Sequence, residues 1–163
     1  MGGLRVKMPI TFYTFVIGTA ALMGVPLLSG FWSKEAILGA AFEHNKFLFA
    51  IGILTATLTA YYMTRVVVVA FFGKSRGEGA SHAHEAPMVM TLPLMALALL
   101  SLVSAYGLFA NTLQAMSPPH HEEGGAIVGV CSLIALLTGL LTGTRLYRGK
   151  DTDPVSIPLF ANK

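Results

Sequence analysis

The sequence predicts an all-α integral membrane protein of about four transmembrane helices, the first of them discontinuous. Three observations carry that prediction. The 163 residues are 54% hydrophobic and only 12% charged, with a mean hydropathy of +0.66, whereas soluble domains carry roughly 25% charged residues. Four apolar stretches reach the roughly 20 residues that cross a hydrocarbon core as helix. A cluster of glycine and proline interrupts the first stretch. None of the four shows the two-residue alternation of barrel strands.

In chain order, residues 1–9 form a loop carrying Arg5 and Lys7, and residues 10–42 the interrupted first helix. Residues 47–72 form the second span and 73–87 a loop with Lys74 and Arg76. Residues 88–115 and 125–147 form the third and fourth spans, and 148–163 a tail. Basic residues gather before the first span, in the 73–87 loop and around the tail, while the alternate loops hold Lys46 and the acidic Glu122 and Glu123. The positive-inside rule then puts both termini and the 73–87 loop in the cytoplasm, and an even number of spans agrees. The first apolar run exceeds the roughly 7–15 residues of a signal-peptide core. The net charge of +3 is scattered at span ends, so it marks topology and not nucleic-acid binding. The single cysteine, Cys131, lies in an apolar run and reads as a small packing residue.

The stretch GTAALMGVPLLSGFWSKEAIL brings Gly24, Pro26, Ser29 and Gly30 within a few residues. Proline removes a donor and glycine loosens the helix on either side. A continuous helix over residues 10–42 would measure about 50 Å against a core of about 30 Å. A break near mid-membrane is expected, and irregular backbone at that depth is tolerated only inside protein or beside water. Such breaks mark ion pathways in transporters, although an ordinary proline kink also fits.

Lys34 and Glu35 follow the break by about one turn. Two readings stand. Lys34 lies near the outer end and snorkels to the interface, or the two residues handle protons, since a desolvated lysine can exchange its proton near neutral pH. Adjacent helical residues point about 100° apart, so the two need not pair. Arg65 lies two turns before the end of the second span, snorkelling or meeting a neighbouring helix. Thr55, Thr57, Thr59, Tyr61 and Tyr62 give that span a polar side suited to helix contact. His44, at the outer end of the first helix, could receive protons at an exit. His82, His84 and Glu85 read as a solvated loop cluster, as do His120 and His121, with no second ligand set for a metal. No GxGxxG, Walker A or CxxC set is present, so no cofactor site is expected on this chain.

At MGGLRVKMPITF, GVPLLSGFWSKEAIL, TLTAYYMTRVVVVAFFGKSR and HEAPMVMTLPLMALALLS the chain resembles the L-type, antiporter-like subunits of NADH:quinone oxidoreductase, respiratory complex I. The resemblance runs to about Arg148. It implies an antiporter-like fold of inverted repeats, with residues 10–42 as the broken helix of the second repeat. Lys34 takes the place of that helix's lysine, and Glu35 replaces the usual aspartate, with the same charge on a longer arm. The pair would serve the outlet half of a proton channel in a bacterial inner membrane. The family's earlier spans, with their glutamate–lysine pair and central lysines, and its later lateral helix lie outside this sequence. A C-terminal fragment, from a partial or split gene, is therefore expected, one that would not move protons alone. Its partners would be the rest of its own subunit, the M-type antiporter-like subunit, other membrane-arm subunits and lipid. NADH, FMN, iron–sulfur clusters and quinone would be bound by other subunits. The rivals are an Mrp-type cation/proton antiporter subunit, a membrane-bound hydrogenase subunit, or a non-transporting structural role.

Overall fold

The computed structural model describes residues 2–73, 83–104, 106 and 125–147, and these are dominated by helix. The first apolar run divides into α1 (Pro9–Met23) and α2 (Ser29–His44). Helix α3 (Lys46–Val67) continues into a π-helical turn, Val68–Phe72. Helices α4 (Met88–Val103) and α5 (Gly125–Tyr147) follow. The segments Lys46–Phe72 and Gly125–Tyr147 are each long and apolar enough to cross a bilayer. At 1.5 Å per residue α1 and α2 measure roughly 22–24 Å each, so neither half alone spans a core of about 30 Å. The discontinuous first helix is thus a property of the fold. His82, His120 and His121 lie outside the described residues.

Local chemistry sets the boundaries. Pro9 opens α1, where a missing N–H costs nothing and the ring presets φ. Asn45 does two jobs at the α2–α3 joint. Its N–H closes α2 on the Ala41 carbonyl at 2.9 Å, and its Oδ1 accepts from the Phe47 N–H at 2.8 Å.

Packing centres on α3, which lies along α5 and also meets α1 and α2, while α1 carries α4 on another side. The α3–α5 seam is built from small residues. A Cβ on Gly139 would lie 2.6 Å from Ala60 Cβ and 2.6 Å from the Thr57 carbonyl oxygen. One turn on, a Cβ on Gly143 would lie 2.8 Å from Thr64 Cβ. Backbones this close gain dispersion contacts along the whole seam, the term that holds helices together where lipid removes the hydrophobic one. The seam ends in a polar cluster. The Tyr61 and Tyr147 hydroxyls are 3.2 Å apart, and the Arg65 guanidinium stands 5.2 Å over the Tyr147 ring.

The threonines of α3 do not form one polar face. Thr55 and Tyr62 point outward, whereas Thr64 is buried. Each hydroxyl instead donates to a carbonyl in the preceding turn of α3: Thr55 to Ile51 at 2.8 Å, Thr57 to Ile53 at 2.9 Å, Thr59 to Thr55 at 2.7 Å. A hydroxyl satisfied within its own helix can face lipid without an unmet donor.

A second cluster gathers where α1 starts and α3 ends. Phe12 packs on Phe71 with ring centroids 5.0 Å apart, and the Arg5 guanidinium lies 5.1 Å over Phe72 and 5.5 Å over Phe12. Glu85 joins this cluster, correcting its reading as part of a solvated loop. Its carboxylate accepts from the Ile10 N–H at 2.8 Å, the Thr11 N–H at 3.3 Å and the Thr11 hydroxyl at 2.6 Å. Met8, the residue flanking α1, offers no side-chain cap. A carboxylate 74 residues away in sequence therefore satisfies the orphan donors of α1 and sits at the positive end of its dipole. The Thr11 hydroxyl is the main cause holding the Glu85 carboxyl below the usual glutamate range, with the Ile10, Thr11 and Ala86 N–H groups adding to it and burial opposing.

Candidate functional site

The break occupies residues 24–28. Gly24 ends α1 in the left-handed region, φ 82°, ψ 42°. Its N–H bonds the Ala21 carbonyl and the Val25 N–H the Ala20 carbonyl, both at 3.0 Å. That pair of bonds is a Schellman motif, for which glycine pays no Cβ penalty. The chain then turns over residues 25–28, closed by the Leu28 N–H on the Val25 carbonyl at 3.2 Å. Pro26 takes the second place of that turn and Leu27 the third, with φ 78°. A positive φ at the third place is what a type II turn requires, and glycine usually supplies it. Leucine there carries strain, and its side chain is 65% exposed.

Ser29 and Gly30 belong to the first turn of α2 and not to the break itself. Gly30 still serves the site. A Cβ there would overlap the Ala21 carbonyl, so glycine lets the start of α2 lie against the last turns of α1.

Lys34 lies between these two half-helices. Helical side chains lean toward the N-terminus, and the Lys34 stem runs back across Gly24, where an added Cβ would stand 3.0 Å from Lys34 Cδ. Its ammonium donates to the Met23 carbonyl at 3.1 Å. Met23 is the last residue of α1, beyond the two carbonyls the Schellman bonds satisfy. The ammonium therefore meets an orphan carbonyl at the negative end of the α1 dipole. An unbroken helix would have offered no such acceptor.

Glu35 goes elsewhere. Its Oε1 accepts from the Ser132 hydroxyl of α5 at 3.3 Å, beside Gly129, where a Cβ would stand 3.1 Å from the same oxygen. The structure thus brings Lys34 to the break and Glu35 to α5. Arg65 lies apart, in the Tyr61–Tyr147 cluster, and His44 is exposed at the end of α2. Sequence reading missed Ser132, Gly129 and Met23. The signal for α5 was present as small residues at three- and four-residue spacing, Ser132, Ala135, Gly139 and Gly143; a backbone carbonyl leaves none.

Residues 1–59 match the family described as NADH:quinone oxidoreductase/Mrp antiporter, TM. The chain is 38% identical to the NAD(P)H-quinone oxidoreductase chain 5 of Picosynechococcus sp., covering 96% of this chain and 29% of that protein. It is 38% identical to NADH-quinone oxidoreductase subunit L of Mycobacterium tuberculosis over 90% of this chain and 25% of that one. Against subunit L of Rickettsia bellii the identity is 45%, over 85% and 22%. The chain spans about a quarter of the length of these relatives.

Proposed function

The chain belongs to the NADH:quinone oxidoreductase/Mrp antiporter transmembrane family, and from that premise we propose that it forms part of the proton-translocating, L-type subunit of an NADH:quinone oxidoreductase. The observation that carries the proposal is the Lys34 ammonium seated on the Met23 carbonyl where the helix breaks. A cation inside an apolar segment is costly and is kept where it has work to do. The Lys34 ammonium is held by a carbonyl and a dipole end and, among the described residues, is not bonded to a carboxylate, so a shift in nearby charge can release its proton. Glu35, one residue on and directed to α5, is the acidic acceptor on the release side.

In this reading electrons pass from NADH through FMN and iron–sulfur clusters to quinone in other subunits, and their passage drives charge changes along the membrane arm. The rest of the subunit, the M-type antiporter-like subunit and lipid cover the surface left open here. The apolar side chains of α4 that face outward, among them Val89, Leu92 and Leu97, support such a setting. The membrane is the bacterial inner membrane, with both termini and the 73–87 loop cytoplasmic, as the lysine and arginine distribution supports.

Lys34→Met tests this. The substitution keeps the stem over Gly24 and removes the charge. In inverted membrane vesicles holding the assembled complex, NADH-driven proton uptake is expected to fall at least tenfold with assembly unchanged. Normal uptake with normal assembly would leave the chain only a structural role.

A further inference from the structure

We infer that Ser132 is a positioning residue for proton release, its hydroxyl turning between Glu35 and the Gly129 carbonyl as Glu35 changes charge. The inference rests on the proposed function and extends the same site to α5. Ser132 Oγ stands 3.3 Å from Glu35 Oε1 and 3.0 Å from the Gly129 carbonyl oxygen. A hydroxyl has one hydrogen to donate and lone pairs to accept with. It therefore satisfies one of these two acceptors at a time.

The two settings correspond to the two states of the carboxyl group. When Glu35 is a carboxylate, the Ser132 hydrogen points to Oε1, and the Gly129 carbonyl relies on its own helix. When Glu35 holds a proton, its O–H donates to Ser132 Oγ, and the serine hydrogen turns to Gly129. No bond of serine breaks in this exchange. The proton that arrives on Glu35 is the proton that leaves it, and Ser132 only rotates. Alanine would serve one packing role here but neither hydrogen-bonded state.

The helix surface is shaped for the same purpose. Gly129 stands directly beneath the carboxylate, and an added Cβ would crowd Oε1 at 3.1 Å, tighter than ordinary contact. Helix α2 also packs on α5, so the carboxylate is held at this one place along α5 while the hydroxyl beside it moves. Serine and glycine three residues apart on one helical face give a polar notch on an otherwise apolar helix.

The test uses proton uptake in inverted membrane vesicles holding the assembled complex, started by NADH and normalised to assembled complex. Ser132→Ala is expected to lower the initial rate about threefold, the size expected from one modest hydrogen bond. Ser132→Thr retains the rate, whereas Ser132→Val, the same outline without a hydroxyl, behaves like alanine. Equal rates for the threonine and valine variants would overturn the inference. That result, alongside a lost rate in Lys34→Met, would sink the Ser132 assignment alone. An unchanged rate in Lys34→Met would sink the proposed function beneath it.

Discussion

Gly139→Ala should weaken the α3–α5 seam more than any other single methyl added to α5. The new Cβ would stand 2.6 Å from Ala60 Cβ, 2.6 Å from the Thr57 carbonyl oxygen and 2.9 Å from the Tyr61 nitrogen. Carbon atoms in contact prefer about 3.5–4.0 Å, so the two helices must part by roughly 1 Å. Two of the three neighbours are backbone atoms and cannot rotate away. Overpacking of this kind costs about 1–3 kcal/mol. Gly143→Ala should cost less, since its nearest neighbours are the Thr64 Cβ and Cγ2 at 2.8 and 2.9 Å. The Cγ2 can swing away if Thr64 gives up its 2.7 Å bond to the Ala60 carbonyl, while the Cβ stays fixed; the nearest backbone atom, the Tyr61 carbonyl oxygen, stands off at 3.2 Å, farther than the backbone atoms around Gly139. Gly125 and Gly39 meet nothing within 4 Å, and alanine there should be neutral or stabilise by up to about 1 kcal/mol through helix propensity. The Tyr61–Tyr147 pair straddles the same seam, with ring centroids 6.2 Å apart, so near-ultraviolet circular dichroism reports on it directly. The assay is unfolding of the micelle-embedded chain in graded sodium dodecyl sulfate, followed at that signal. An order other than Gly139 before Gly143 before Gly39, or a Gly139→Ala cost under about 0.5 kcal/mol, would refute the close-packed seam. Ala60→Gly should rescue Gly139→Ala only in part, because the Thr57 and Tyr61 backbone atoms remain.

Leu27→Val should destabilise the chain by about 1–2 kcal/mol, since a β-branched residue fits a φ of 78° worse than leucine does; Leu27→Gly should cost nothing in the same unfolding assay. Glu85, held below the ordinary glutamate range chiefly by the Thr11 hydroxyl, should stabilise the start of α1 at every pH above its unfolded value, the contribution fading as pH falls through the lower, folded value. The protection factors of the Ile10 and Thr11 amides, with exchange rates corrected for the intrinsic pH dependence, should therefore fall on acidification, and Glu85→Gln should show the lower protection already at neutral pH. Tyr147→Phe should cost about 0.5–1.5 kcal/mol for the lost hydroxyl contact to Tyr61, and the Arg65 cation–π contact should survive in it.

Particular residues show how far the sequence could be read. Gly24 and Pro26 announced the break because turn chemistry is local, and the structure ends α1 at Gly24 with a left-handed cap. Ser29 and Gly30 looked like part of the same break, yet both are helical, and Gly30 is small for a neighbour and not for a turn. Glu85 looked like one polar residue among loop histidines, because its partners lie at Ile10 and Thr11. Lys34 and Glu35 were visible as charges out of place, but nothing in their spacing told that one reaches back to Met23 and the other across to Ser132.

The amino-acid order alone determined that this chain is helical, lipid-suited and interrupted within its first apolar run, because hydropathy, proline and glycine act over a few residues. Tertiary structure decided which side of each helix meets another. In water an amphipathic stripe announces the buried face, but a helix that is apolar all round carries no such stripe. Its rotation is fixed by close approach of small residues and by the few polar groups that find one another, as Gly139 finds Ala60 and Glu35 finds Ser132. The charges were written in the sequence, and their partners were assigned by the packing.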